Sequence, residues 1–116
     1  MARVLVIGLD PVRIPGYDPE PVVAAIARGR RRFDELGVPA DMCLVAPDDE
    51  PEAAIVAALA GGEYACVVIG GGIRKDEPLV ELFERVVNLV RRHAPNAAIA
   101  FNSTPDDMAD AALRWL

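Results

Sequence analysis

Two short stretches gather the residues whose chemistry could act on a small molecule: Leu9-Asp10-Pro11-Val12-Arg13 and Gly70-Gly71-Gly72-Ile73-Arg74-Lys75. Three consecutive glycines after an apolar run can bare backbone N–H groups and cradle an oxyanion, with Arg74 or Lys75 adding positive charge. The same glycines also suit a sharp turn at positive φ, or a close approach of helix to sheet. Asp10 is the best general-base candidate, although an Asp before proline is also a turn former. Asn102 and Ser103 could orient a bound molecule, whereas Thr104, followed by Pro105, reads first as a helix N-cap.

Other chemistries find fewer residues. The single histidine, His93, falls at the end of a helical stretch, away from Asp10 and Ser103, so a Ser-His-Asp or Cys-His arrangement is excluded. Cys43 and Cys66 each sit inside an apolar run, where cysteine behaves as a small buried hydrophobe, and neither has a metal-ligand spacing. No metal site is therefore expected, although Asp10 with one neighbouring acid could hold a divalent ion. Val68-Ile69-Gly70-Gly71-Gly72-Ile73 opens like a dinucleotide fingerprint, but the third glycine would fall at Lys75 and the next helix begins Asp76-Glu77-Pro78. Two carboxylates would then face a pyrophosphate, so no nucleotide cofactor is implied and the cofactor stays open.

The net charge of −6 argues against nucleic acid and against an anionic membrane surface. No apolar run approaches the roughly 18 residues of a membrane span, and Val4-Leu5-Val6-Ile7 is too short for a secretory signal, which leads to the expectation of a cytoplasmic protein. At 116 residues and 53% hydrophobic content, residues 1–116 are expected to form one domain with one core.

The elements that position these residues follow from periodicity. Arg3–Leu9, Asp41–Ala46, Ala65–Gly70 and Ala97–Asn102 are continuous apolar runs of strand length, the pattern of strands covered on both faces. Between them the period becomes helical. Val22, Ile26, Gly29, Phe33 and Leu36 form one stripe ending at Gly37, and Pro51–Ala60 forms a second helix. Leu79, Leu82, Phe83, Val86, Val87 and Val90 mark a third, stopped by Pro95, and Pro105–Leu116 a fourth. Acids and prolines precede these helices (Asp18-Pro19, Asp49-Glu50-Pro51, Asp76-Glu77-Pro78, Thr104-Pro105), which predicts side-chain caps at each start. The arginines Arg28, Arg31 and Arg32 fall on an exposed arc of the first helix and are expected to be solvated.

Alternating strands and helices with short links predict an α/β fold, a three-layer α/β/α arrangement around a four-stranded parallel sheet in the order 2-1-3-4. The second and third helices would cover one face and the first and last the other, with Trp115 packed near Phe33. Ligands in such sheets bind outside the carboxyl ends of the strands where the strand order reverses, here between strands one and three. The candidate ligand-binding residues are thus Asp10, Arg13, Gly70, Gly71, Gly72, Arg74, Asn102 and Ser103.

In element order the whole chain resembles the flavodoxin-like and Rossmann-like superfold, with one strand fewer than usual. Ile69-Gly70-Gly71-Gly72-Ile73-Arg74 together with Phe101-Asn102-Ser103-Thr104-Pro105 also resembles small uncharacterised bacterial single-domain proteins of this length. The resemblance implies a fold and no reaction. Two functions follow as expectations. One is a binding module that uses the loops after strands one and three for a small polar ligand or another protein. The other is a small hydrolase or transferase acting on an anionic substrate, with Asp10 as base and Gly70–Gly72 plus Arg74 as the anion site. A homodimer through the edge of strand four and the C-terminal helix is a further expectation.

Overall fold

The computed structural model describes residues 2–116. Strand β1 (Val4–Leu9) lies at the centre, paired in parallel with β2 (Ala40–Val45) on one side and β3 (Cys66–Ile69) on the other; β4 (Ala98–Phe101) closes the outer edge beside β3. The order is 2-1-3-4, the arrangement expected from the alternating elements. Valine and isoleucine fill the two central strands, and Val4 to Ile7 and Cys66 to Ile69 are all buried, which is what a strand covered on both faces needs.

Alternation along β1 separates the two faces. Leu5 and Ile7 point to a layer made by α2 (Pro51–Ala60) and α4 (Val80–His93), where Ile55, Leu59, Val86 and Val90 pack on them. Val4 and Val6 point the other way, to α1 (Glu20–Leu36) and α5 (Met108–Leu113), among smaller side chains: Ala109, Ala111 and Ala112 around Phe33 and Met108. Phe33 meets this α5 face through Met108 and the alanines. Trp115 does not join it; the indole is 59% exposed, because α5 ends at Leu113 and leaves the last residues outside the helix.

The helix boundaries follow the expected punctuation more closely than the caps do. Gly37 closes α1 at φ 67°, and its N–H bonds back into the last turn. Asp18 accepts from the Glu20 N–H and Asp107 accepts from the Ser103 and Thr104 N–H groups. Asp49 and Asp76, in contrast, cap nothing. An Asp49 oxygen instead pairs with Arg13, and Glu50 takes the N-cap position of α2 in the left-handed region at φ 45°. Arg28 is likewise not free on its arc: it pairs with Asp106 at 2.6 Å and fastens α1 to the turn before α5. One element was not legible, the single helical turn α3 (Gly71–Arg74), seated by Ile73, whose side chain is fully buried.

Candidate functional site

Between the carboxyl ends of β1 and β3 the chain leaves a cavity of about 250 Å³ on the α1/α5 face. One residue of β1 helps keep it open. Gly8 follows Val4 and Val6 on that face of β1, and where a third side chain would stand there is only space: a Cβ there would meet no closer neighbour than Leu44 Cδ2, at 3.6 Å. Val6, Met42 and Leu44 form the sheet side, while Val22, Ile26 and Met108 close it from the helix side. Gly70, Gly71, Gly72, Asn102 and Ser103 complete the wall, with Tyr17 from the long loop after β1. No charged side chain lines it.

Asn102 is the polar centre of this wall. It is 5% exposed, and its Nδ2 donates to the Thr104 carbonyl at 2.8 Å. Its Oδ1 is buried without a partner, the only such side-chain atom among the described residues. Buried polar atoms are nearly always paired, so an orphan on a residue that lines a cavity is a place where a bound molecule or a water can donate.

The glycine run has a different geometry from an anion nest. None of Gly70, Gly71 and Gly72 has a positive φ, so the sharp left-handed turn is not formed. Gly70 is extended (φ −69°, ψ 153°), and its N–H continues the sheet by donating to Ile7 O at 2.8 Å. A Cβ on Gly70 would stand 3.3 Å from that oxygen and 3.4 Å from Gly8 Cα, so close approach of two backbones is the reason for glycine here.

The charged candidates are brought near one another and then committed to the frame. Asp10 caps the 3₁₀ turn Pro11–Arg13, with Oδ1 accepting from the Val12 N–H at 3.1 Å and Oδ2 paired with Arg13 Nε at 3.0 Å. Arg13 extends the same fork to Asp49 Oδ2 at 2.7 Å and to the Leu44 carbonyl at 3.0 Å, tying the loop after β1 to the end of β2. Arg74 donates from Nε to Ile69 O at 3.0 Å and from Nη2 to Asn102 O, and its guanidinium lies 5.2 Å from the centre of the Phe101 ring. Lys75 Nζ donates to Ser103 O at 2.6 Å. These contacts hold the ends of β3 and β4 together and fix the backbone of Asn102. Of the eight candidates, Gly70, Gly71, Gly72, Asn102 and Ser103 share the cavity; Asp10, Arg13 and Arg74 stand outside its lining and brace the surrounding loops.

Gly8 and the apolar walls were missed by reading for charge. The signal was present, since a glycine interrupting a run of valine and isoleucine marks either a bulge or a place kept clear for something to approach.

The opposite, amino edge of the sheet carries a wider polar hollow that includes Arg3, Tyr64 and His93. There Asp41 Oδ2 accepts from Arg3 Nε at 2.8 Å and from the Tyr64 hydroxyl at 2.9 Å. The hydrogen bond from Arg3, and then that from Tyr64, holds the Asp41 carboxyl below its ordinary range, while burial, with Asp41 adding to it, pushes the Tyr64 phenol up. Burial also pushes the Cys66 thiol up to about 11, so at neutral pH it is a protonated core group. Among the described residues no cluster of three or more His, Cys, Asp or Glu gathers to hold a metal, and no helix is long and apolar enough to cross a membrane. Comparison with protein-family models, with curated proteins and with solved structures gives no match.

Proposed function

We propose that the protein is a non-catalytic binding module that takes a small molecule into the cavity between β1 and β3. The observation that carries this reading is the unpartnered Oδ1 of Asn102, a residue that lines a cavity beside Gly8. Leaving a buried acceptor unpaired costs about 1–3 kcal/mol, which a bound N–H or O–H would offset. The cavity also lies at the strand-order reversal, where parallel α/β sheets bind ligands.

Binding is favoured over hydrolysis or group transfer by the engagement of the charged groups. A general base must reach the proton it abstracts, and Asp10 holds both oxygens against its own loop, outside the cavity lining. The two cations that would strengthen an anion site are engaged: Arg74 Nε and Nη2 and Lys75 Nζ donate to backbone carbonyls.

A fragment library screened against the ¹⁵N-labelled protein tests the proposal. Hits should shift the backbone amides of Gly8, Gly70 to Gly72 and Asn102, and the shifts should vanish in Gly8→Val, whose side chain occupies the space. Hits confined to other surfaces, or shifts that persist in folded Gly8→Val, would count against it.

A further inference from the structure

We infer that the molecule bound in this cavity is a neutral compound of one or two rings that presents a hydrogen-bond donor to Asn102, an inference that rests on the cavity being the binding site. Three independent properties of the wall converge on that class.

Size comes first. An apolar cavity of about 150 Å³ holds a benzene molecule. The cavity here, about 250 Å³, has room for a bicyclic ring system and not for a dinucleotide. Its place between the sheet and the helix layer, where Gly8 omits one side chain, suits a flat group. Met42, Met108 and Tyr17 contribute walls of the kind that favour rings, since a thioether sulfur and an aromatic edge both pack well against a π face.

Charge comes second. With no charged side chain in the lining, an ion moved into it from water would lose its hydration and gain no counter-charge. Of the nearby cations, Arg13 is paired with Asp10 and Asp49 and Arg28 with Asp106; Arg74 and Lys75 stand outside the lining with N–H groups bonded to backbone carbonyls, and the carboxylate probe below reads whether their charge reaches the cavity.

Hydrogen-bond polarity comes third. A carboxamide offers two donors on nitrogen and an acceptor on oxygen. In Asn102 the nitrogen is turned to the Thr104 carbonyl, so the atom left over is the acceptor. A ligand with only acceptors would leave Oδ1 unpaired and gain nothing from it. A ring N–H or a hydroxyl completes it.

Three matched probes separate these properties: indole, neutral with a donor; 1-methylindole, neutral without one; and indole-3-carboxylate, which keeps the donor and adds a charge. Each is titrated against the ¹⁵N-labelled wild type and Gly8→Val, following the Gly8 and Gly71 amides and the Asn102 side-chain amide. Indole should move these resonances in the wild type, and 1-methylindole should bind about tenfold more weakly, the worth of one hydrogen bond. The carboxylate should bind more weakly than indole, and Gly8→Val should lose the indole response. Equal affinities for indole and 1-methylindole would overturn the donor requirement while leaving the cavity as the site. Tighter binding of the carboxylate would overturn neutrality. If indole shifts none of these resonances, or shifts them equally in Gly8→Val, the underlying reading of the cavity fails as well.

Discussion

A methyl group added at Gly29 would lie 2.2 Å from the Pro105 carbonyl oxygen and 2.3 Å from Met108 Cε. On an exposed helix face the change from glycine to alanine stabilises, because alanine is the better helix former. In α1 the opposite is expected. Gly29 is buried where the helix meets the turn before α5, and a backbone oxygen cannot yield as a side-chain end can. Gly29→Ala should therefore lower the stability by about 1–3 kcal/mol, the usual cost of overpacking, measured as a fall in the urea midpoint at unchanged slope. Periodicity placed Gly29 in the apolar stripe of its helix but carries no information about what sits across from it. The same limit explains the candidate site. Asp10, Arg13 and Arg74 were legible as charged groups at the carboxyl edge, yet whether a charge faces a ligand or a neighbouring carbonyl depends on distances that residue order does not encode. Asn102 was legible as polar; its burial and its orphaned oxygen come from the packing of β4 and α3.

At the scale of elements, apolar runs and proline–glycine punctuation located the four strands and four of the helices, because each signal is local to the segment it marks. Elements held by long-range contacts were not visible. The turn α3 has two glycines, which are poor helix formers, and stands because Ile73 is sunk into the core and Arg74 bridges the ends of β3 and β4. That bridge gives a second prediction. Arg74→Lys keeps the charge but loses the planar fork that reaches two carbonyls and lies over Phe101, and a single ammonium cannot repeat that geometry. A loss of about 1.5–3 kcal/mol is expected, the range for hydrogen bonds to a charged group. The amide exchange of Asn102 and Ser103 should rise with it. A stability equal to wild type would show the bridge to be incidental. At the amino edge, Arg3, Asp41 and Tyr64 join the starts of β1 and β2 to the segment before β3. Because the folded Asp41 carboxyl titrates below its unfolded value of about 3.9, its contribution is present above that pH and is lost as pH falls through the lower, folded value. Asp41→Asn should therefore flatten the acid limb of the stability profile and leave its shape near neutrality unchanged. An acid limb as steep as that of wild type would place the responsible carboxylate elsewhere.

Across the whole molecule the two faces of the sheet are packed unequally, and the inequality is what creates the site. Leucine, isoleucine and valine from β1, β3, α2 and α4 interlock on one side. On the other, alanines from α5, with Cys66 and Val4, make a thinner layer that gives way to the cavity beside Gly8. Element order and composition revealed that two layers exist; the balance of volume between them is a property of side chains meeting across the sheet. Pressure reads that balance directly, because unfolding eliminates internal voids and its volume change scales with them. Filling the cavity from the strand side should make the unfolding volume less negative in the order wild type, Gly8→Ala, Gly8→Val, so that the folded state persists to higher pressure in the same order. Gly8→Ala introduces no contact tighter than 3.6 Å, so it should keep or raise the thermal midpoint while it raises the pressure midpoint. If the pressure midpoints of the three proteins coincide while their folds are intact, the space beside Gly8 is already filled by solvent or by rearranged side chains.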